Sequence, residues 1–325
     1  MSSDSSPLIT ILVPTYNRLG SLKKLVAWLE KHAFHNPDVS ILISNNASKD
    51  ETRAYLDGYS HIPNLNINHM PSNCGALIHI GWLYAQATTP YVWLIGDDDC
   101  PEEDALYQVI SILKADREIV WLHLPHRFVD NQGNIACESL KPNEVLIKEN
   151  GADLFIKYAN WATLISSNIL KTEEMQKYIS RCDAGNAFFP LWLYMQTGSG
   201  HKSVVINMCL VNANTDYSWS ETRRKVCTKD LINVIKSLSG ISGSDSAHIL
   251  YNYYIRDPSN FIRVPFIAPM ECLWLLRISP FKFAKRYIIS FLQICCIKLA
   301  RFYQSASTLC FHLQTSAGAS LDGSY

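Results

Sequence analysis

An apolar run that reads as a buried strand ends in three consecutive carboxylates, Asp97, Asp98 and Asp99. Adjacent anions repel one another and are costly to remove from water, so such a cluster favours the binding of a divalent cation. An oxygen-rich site for Mg²⁺ or Mn²⁺ points to phosphate chemistry. The alternative is a solvated turn that starts the next helix, because Pro101 and the acidic residues after it are typical of a helix N-terminus.

Two earlier strand ends carry polar residues suited to a nucleotide. The first reads Pro-Thr-Tyr-Asn-Arg at residues 14–18, and the second reads Asn-Asn-Ala-Ser at residues 45–48. Because ligands of a parallel sheet bind beyond the carboxyl ends of its strands, these motifs and the acidic cluster would form one nucleotide-diphosphate site. Each motif alone has a plainer interpretation, in which Pro14 ends an edge strand, Tyr16 packs and the Asn pair forms a turn or helix cap.

Short β-branched or aromatic runs alternate with helical periodicity from Leu8 to about Val129, which predicts βαβ units and a mainly parallel α/β sheet. The G-x-G-x-x-G and G-x-x-x-x-G-K-[ST] fingerprints are absent, which weighs against dinucleotide dehydrogenases and P-loop NTPases. The predicted strands cover residues 8–14, 39–44, 65–68, 91–96, 119–124 and 204–210, and the predicted helices cover 22–33 and 75–87.

The composition excludes several other classes. The chain has 325 residues and a formal net charge of zero, which gives no general attraction to nucleic acid. Its ten cysteines form no C-x-x-C pair, so a structural zinc site is not expected. The first residues have neither a basic region nor an apolar core, which predicts a cytoplasmic protein without a secretory signal.

The last hundred residues are predicted to be helical and combine apolar residues with cations. Only eleven uncharged residues separate Arg286 from Lys298. As a helix they would span roughly 16 Å, about half of a bilayer's hydrocarbon core, so they cannot cross it. The segment is predicted either to lie on the cytoplasmic membrane face or to pack against the main domain.

Four motifs in this order resemble glycosyltransferase family 2, whose members have the GT-A fold. They are Val-Pro-Thr-Tyr-Asn-Arg at 13–18, Asn-Asn-Ala-Ser-Lys-Asp-Glu-Thr at 45–52, Asn-Cys-Gly at 73–75 and Asp-Asp-Asp at 97–99. The resemblance covers about residues 8–110. Within the family, the Gly-Asp-Asp-Asp form looks most like bacterial O-antigen transferases of the abequosyltransferase kind.

The resemblance implies a site for a nucleotide-diphosphate sugar and for Mn²⁺ or Mg²⁺. Asn45 stands where the family has an acidic residue, which removes a carboxylate contact to the base and leaves the nucleotide undetermined. The implied metal ligands are Asp98 and Asp99. The implied donor-binding residues are Pro14, Thr15, Tyr16, Asn17, Arg18, Asn45, Asn46, Ser48, Asn73, Gly75 and Asp97.

The implied chemistry is displacement at the anomeric carbon, in which a carboxylate removes the proton of the attacking hydroxyl. The family carries that base just before an aromatic-rich helix, but Phe188 and Phe189 fill the usual position here. Asp183 is the nearest candidate. The weaker rivals are Asp153, Glu173 and Glu174, and Trp161 and Trp192 would either stack on a sugar or belong to the core.

These predictions describe a disordered N-terminus at residues 1–7, a GT-A domain at 8–220 and a helical C-terminal region at 221–325. The domain would divide into a nucleotide-binding half at 8–110 and an acceptor half at 111–220. The predicted function is transfer of a sugar to a saccharide or lipid-linked saccharide in bacterial surface polysaccharide synthesis. The alternatives are a nucleotidyltransferase and a non-catalytic saccharide-binding protein.

Overall fold

The computed structural model describes nine stretches of the chain. These are residues 6–130, 132–139, 141–183, 185–214, 229–239, 241–256, 264–265, 269–280 and 283–291. The predictions for residues 1–5 and for the cation-rich segment beyond residue 291 therefore lie outside the described residues.

The described elements alternate between strand and helix along the first half of the chain, as the periodicity predicts. The strands are β1 (Ile9–Thr15), β2 (Val39–Asn45), β3 (Leu65–His69), β4 (Tyr91–Leu94), β5 (Cys100–Pro101), β6 (Trp121–His123), β7 (His126–Val129), β8 (Ile135–Glu138), β9 (Leu146–Lys148), β10 (Asn168–Lys171), β11 (Ser203–Val205) and β12 (Val211–Asn214). The helices are α1 (Leu19–His32), α2 (Thr52–Asp57), α3 (Ala76–Ala85), α4 (Ala105–Ala115), α5 (Gly151–Ala162), α6 (Thr172–Ile179), α7 (Phe189–Gly198), α8 (Leu231–Ser237), α9 (Gly243–Arg256) and α10 (Pro269–Ile278).

Within the described residues the main sheet has the strand order β3-β2-β1-β4-β10-β6-β11-β9. Strands β3, β2, β1 and β4 are parallel, and β10 is inserted antiparallel between β4 and β6. A smaller sheet has the order β5-β12-β7-β8. The mainly parallel α/β sheet predicted from the sequence is confirmed, and the antiparallel β10 is an addition to it.

Helices cover both faces of the main sheet. Successive residues of a strand point to opposite faces, so neighbouring residues pack against different helices. In β4, Val92 and Leu94 join one buried cluster with α3, α5 and α7, whereas Tyr91 and Trp93 join another with α1 and α4. Such two-sided burial explains why the strand is a continuous apolar run without alternation.

The structure corrects three details of the predicted elements. The predicted strand 204–210 is wrong in extent, since β11 ends at Val205 and β12 begins at Val211 in the other sheet. The residues after Asp99 form the short strand β5 before α4 begins at Ala105, so Pro101 is not in the first turn of a helix. Arg286, grouped with the surface cations in the sequence, is buried.

No helix in the described part of the chain is both long enough and apolar enough to span a membrane.

Candidate functional site

The three predicted motifs meet at one edge of the main sheet because β1 lies between β2 and β4. Thr15 pairs with Asn45 in register, and Leu12 pairs with Leu94 on the other side. The strands are parallel, so their carboxyl ends point the same way and the loops that follow them lie side by side. Strand order therefore brings together segments that are about thirty to eighty residues apart in sequence.

Thr15 and Arg18 hold the first two carboxylates of the acidic cluster. The Thr15 hydroxyl donates to Asp97 Oδ2 at 2.7 Å. Arg18 Nη1 donates to Asp97 Oδ1 at 3.1 Å and to Asp98 Oδ2 at 2.7 Å. One guanidinium nitrogen thus bridges two neighbouring carboxylates, which it can do because it carries a delocalised positive charge.

Asp99 turns inward and is held by a residue that the sequence does not single out. The Ser166 hydroxyl donates to Asp99 Oδ2 and accepts a 2.9 Å hydrogen bond from the Gly96 backbone N–H. Trp93 Nε1 donates to the Ser166 carbonyl at 2.8 Å. The turn before β10 is therefore fastened to the end of β4 at three points, and nothing in the local sequence around Ser166 indicates it.

Burial changes the acidity of the two enclosed carboxyl groups. It raises the pKa of Asp97 to about 6, although the hydrogen bond from Thr15 and the charge of Arg18 oppose the shift. Burial, with the charge of Asp98 added, raises the pKa of Asp99 to about 7. The guanidinium of Arg18 does not fully compensate the negative charge of the cluster, so a further cation would stabilise its ionised form.

Gly96 leaves open the space beside two of the carboxylates. A Cβ at Gly96 would lie 3.2 Å from both Asp98 Oδ1 and Asp99 Oδ2, so these two oxygens border the place of the missing side chain. In the described part of the chain, no three acidic, histidine or cysteine side chains form a metal-binding group. Two carboxylates with the remaining ligands from phosphate and water is a usual arrangement for Mg²⁺, so Asp98 and Asp99 fit a divalent cation that binds together with a diphosphate.

Asn46 connects the end of β2 to the loop before α3. Its Nδ2 donates to Asn73 Oδ1 at 3.1 Å, and its Oδ1 accepts from the Cys74 backbone N–H at 3.1 Å. Asn73 Oδ1 also accepts from the Gly75 N–H at 2.8 Å. Gly75 has a φ of +85°, which glycine adopts without the strain of a Cβ. The structure thus brings three predicted donor-binding residues, Asn46, Asn73 and Gly75, into one network.

Asn17 and Ser48 join the two neighbouring loops at the surface. The Asn17 N–H donates to Ser48 Oγ at 2.9 Å, and Asn17 Oδ1 accepts from the Lys49 N–H at 2.7 Å. Asn45 Oδ1 accepts from the Ser48 N–H at 2.9 Å, which closes the turn after β2. Asn45 is therefore a buried residue that caps a turn, which is the plainer of the two interpretations of the Asn pair.

Pro14 and Tyr16 flank Thr15 at the end of β1 and are both half-buried. Pro14 aligns with Ser44 of β2, so it lies inside the sheet between β2 and β4 and does not end an edge strand. Tyr16 begins the loop that leads to Arg18. Both residues lie at the edge where the carboxylates and the Asn46 network meet.

Asp183 lies in the turn before α7, and its described hydrogen bond is local. It is exposed, and its Oδ1 accepts from the Gly185 N–H at 2.9 Å. Of the rival acids, Asp153 and Glu173 are exposed, whereas Glu174 forms a 2.6 Å ion pair with Lys177. None of these described contacts joins the acidic cluster.

The two tryptophans considered for sugar stacking pack against other rings. Trp161 lies edge-on to His126 with centroids 5.8 Å apart, and Trp192 lies edge-on to Tyr178 at 6.3 Å. Both remain half-buried. One face or edge of each therefore contributes to the protein interior.

A second buried polar group, which we name the His123–Asn168 cluster, consists of Trp121, His123 and Asn168. Asn168 Oδ1 accepts from Trp121 Nε1 at 3.0 Å and from His123 Nδ1 at 3.1 Å. Asn168 Nδ2 donates to the carbonyls of Ala162 at 3.0 Å and Leu164 at 2.7 Å. Burial lowers the pKa of His123 to about 4, so the cluster is neutral near pH 7.

Comparison with known proteins agrees with this geometry. Residues 10–169 match the family described as Glycosyl transferase family 2. Abequosyltransferase RfbV of Salmonella typhimurium is 30% identical over 114 residues, a match that spans 34% of this chain and 34% of that protein.

Solved structures show the same fold at low sequence identity. Staphylococcus aureus TarS 1-349 in complex with UDP-GlcNAc is 14% identical with a TM-score of 0.62, covering 86% of this chain and 81% of that one. The mannosyltransferase PcManGT of Pyrobaculum calidifontis, in complex with GDP-Man and Mn²⁺, is 14% identical with a TM-score of 0.54, covering 98% and 88%. The ordered motifs, the sheet and these similarities together show that residues 10–169 form a domain of glycosyltransferase family 2 and that the chain has the GT-A fold.

Proposed function

We propose that the protein transfers a sugar from a nucleotide-diphosphate donor to a saccharide or lipid-linked saccharide of a bacterial surface polysaccharide. The observation that carries this proposal is the meeting of Thr15, Arg18 and the carboxylates Asp97 and Asp98 at the carboxyl edge of the sheet. It is supported by TarS and PcManGT, whose structures contain nucleotide sugars, and by RfbV, an abequosyltransferase.

The donor would lie across the three strand ends. Pro14, Thr15 and Tyr16 would line the base pocket, the Asn46–Asn73–Gly75 network would hold one wall in place, and Asp97 would face the ribose. Asn45 has an amide and not a carboxylate, and its oxygen already accepts a hydrogen bond within its own turn.

Asp98 and Asp99 would hold Mn²⁺ or Mg²⁺ against the diphosphate. When bound, such an ion neutralises the negative charge that builds up on the departing nucleoside diphosphate. The acceptor hydroxyl attacks the anomeric carbon while the bond to the diphosphate oxygen breaks. A carboxylate takes the hydroxyl proton, and we assign this role to Asp183, whose exposed position before α7 leaves it accessible to an acceptor.

We further propose that the C-terminal region contacts the cytoplasmic face of the membrane. Large apolar side chains on α10 and on residues 283–291 are exposed to solvent, and Arg277 and Lys285 are exposed beside them. An interfacial helix combines these two kinds of residue. The exposed apolar residues are Met270, Leu273, Leu276, Ile288 and Phe291.

A thermal-shift screen tests the donor proposal. UDP-, GDP-, CDP- and dTDP-sugars are each added with and without Mn²⁺, and one base class should raise the melting temperature, by more when Mn²⁺ is present than when it is absent. A ligand at one hundred times its Kd stabilises the native state by about 2.7 kcal/mol, which such a screen detects. If no nucleotide sugar stabilises the protein at millimolar concentration, the donor proposal is wrong.

Co-sedimentation with anionic vesicles tests the membrane proposal. The wild type should sediment with the vesicles, and a Leu273→Gln/Ile288→Gln variant should remain in the supernatant. A variant with Arg277→Gln and Lys285→Gln measures the electrostatic contribution, about 1 kcal/mol per cation near the surface. A wild type that stays in the supernatant at low salt contradicts membrane contact.

A further inference from the structure

We infer that Arg18 is an internal counter-ion that exchanges with the divalent cation. Without metal, the guanidinium forms an ion pair with Asp98. When the metal binds, this ion pair breaks, and the guanidinium pairs with the diphosphate of the donor. This inference rests on the proposed function, because it concerns how the same site loads its donor and metal.

The geometry places Arg18 next to the position that the metal would take. Arg18 Nη1 lies 2.7 Å from Asp98 Oδ2, and Asp98 Oδ1 is one of the two carboxylate oxygens beside Gly96. A divalent cation at Asp98 would thus lie next to a guanidinium bound to the same carboxylate. Two like charges at one carboxylate repel, so tight binding of one disfavours the other.

The neighbouring carboxylate tolerates the departure of Arg18. Asp97 Oδ2 keeps its 2.7 Å hydrogen bond from the buried Thr15 hydroxyl when its ion pair with Arg18 is lost. Asp98 is more exposed than Asp97, with 28% of its side-chain surface accessible against 6%. Asp98 is therefore the carboxylate whose partner can be exchanged at the smaller cost.

Arg18 has both the solvent accessibility and the charge for the second half of the exchange. It lies at the N-terminal end of α1 with 32% of its side chain accessible, at the edge where the donor would bind. Its guanidinium stays charged, since the two carboxylates raise its pKa against the effect of burial. A planar guanidinium pairs with phosphate oxygens as well as with carboxylates.

The exchange couples metal binding to donor binding. Without a diphosphate, the cation has to break the ion pair between Arg18 and Asp98, so metal alone binds weakly. With a diphosphate, Arg18 gains a partner and Asp98 becomes available. Coupling between two ligands is reciprocal, so each should raise the other's affinity by the same factor.

The test measures binding rather than turnover. Mn²⁺ alone is titrated into the wild type and into Arg18→Gln, with free aqueous Mn²⁺ followed by electron paramagnetic resonance. We expect Arg18→Gln to bind Mn²⁺ about tenfold more tightly, a difference equal to about 1.4 kcal/mol. In metal-free calorimetry with UDP and GDP, the same variant should bind the preferred nucleotide about tenfold more weakly. These opposite signs are not expected from a general loss of structure.

Two variants serve as controls. Arg53→Gln removes an equal charge from the surface of α2, where Arg53 is 71% exposed, and should change neither affinity by more than about twofold. Arg18→Lys keeps the charge and should bind Mn²⁺ about as weakly as the wild type.

Three outcomes overturn the exchange. They are unchanged or weaker Mn²⁺ binding by Arg18→Gln, equally tight binding by Arg18→Lys, and no Mn²⁺ binding by either the wild type or Arg18→Gln. If nucleotide sugars still stabilise the protein in any of these cases, the exchange fails while the donor proposal stands.

Discussion

The main sheet carries two clusters of buried polar groups that differ in how well they are compensated. In the acidic cluster, burial raises the pKa of Asp97 to about 6 and that of Asp99 to about 7. In the His123–Asn168 cluster, the Asn168 side chain makes four hydrogen bonds and His123 is neutral. Asp97 and Asp99 of the first cluster and His123 and Asn168 of the second are all almost inaccessible to solvent. Burial alone therefore does not distinguish a ligand site from a structural one.

The charge left uncompensated is what distinguishes them. Buried charges are costly unless they are paired, and a protein that keeps crowded carboxylates at a strand end forgoes stability there. The second cluster buries no charge, and the four hydrogen bonds of the Asn168 side chain fix neighbouring elements in place. We therefore expect substitutions in the first cluster to affect ligand binding and substitutions in the second to affect stability.

The largest effect is expected at Asp183, which lies in neither cluster. If Asp183 is the general base, Asp183→Asn should lower transfer by roughly 10²–10⁴-fold while donor binding is retained. Radiolabelled sugar transfer and donor titration measure the two quantities separately. Glu174→Gln is the matched control, since its carboxylate is paired with Lys177. Near-normal transfer by Asp183→Asn would assign the base to another carboxylate.

Asp98→Asn tests the acidic cluster directly. We expect loss of metal-dependent donor binding and a fall in transfer of about 10²-fold or more, because one of the two carboxylates proposed to bind the metal is removed. The melting temperature of the metal-free protein should change little, since the substitution also relieves carboxylate repulsion. Thermal shifts with and without Mn²⁺ provide both readings. Unchanged turnover would remove Asp98 from the metal site.

Asn168→Ala tests the other cluster and should give the opposite result. It leaves the Trp121 and His123 donors and two carbonyl groups without their partner, so the free energy of unfolding should fall by about 3 kcal/mol. Donor affinity of the folded protein should remain within a few-fold of wild type. Urea unfolding measures the loss, and Asn66→Ala on the exposed side of β3 is the control. A larger loss of donor affinity than of stability would contradict the distinction between the clusters.

The pH dependence of stability should show the smallest effect. Asp97 and Asp99 have native pKa values above that of an unfolded aspartate, so between about pH 4 and 7 the native state binds more protons. Their contribution to stability is therefore present at low pH and is lost as the pH rises through 6 and 7. His123 acts in the opposite direction, because its native pKa of about 4 lowers stability as the pH falls below about 6.5.

Comparison of the metal-free wild type with Asp99→Asn isolates the carboxylate contribution, since His123 is common to both. From pH 5 to pH 8 the wild type should lose about 1–2 kcal/mol more than the variant, as measured by urea unfolding. If the free energy of unfolding depends on pH in the same way in both proteins, the native pKa of Asp99 is not raised.

The sequence predicts the strands β1, β2 and β4 well because each is rich in apolar residues and stops at a polar motif. It predicts the acidic cluster for the same reason. It does not indicate Ser166, because the contact with Asp99 depends on the antiparallel register of β10, a four-residue strand whose local pattern is indistinct. The sequence does not indicate Asn168 either, since a buried Asn is recognised only through its four hydrogen-bonding partners, which come from other parts of the fold.

The insertion of β10 also has a consequence for the order in which the chain folds. Strands β1 to β4 pair within the first hundred residues, so they can associate early as the chain emerges during synthesis. Every predicted nucleotide-contacting residue would then be present. Yet the free edge of β4 would remain open to another chain, and Asp99 would lack the Ser166 hydroxyl, until residues 166–171 arrive. A fragment that ends near residue 130 should therefore aggregate, and a useful truncation has to extend past β10.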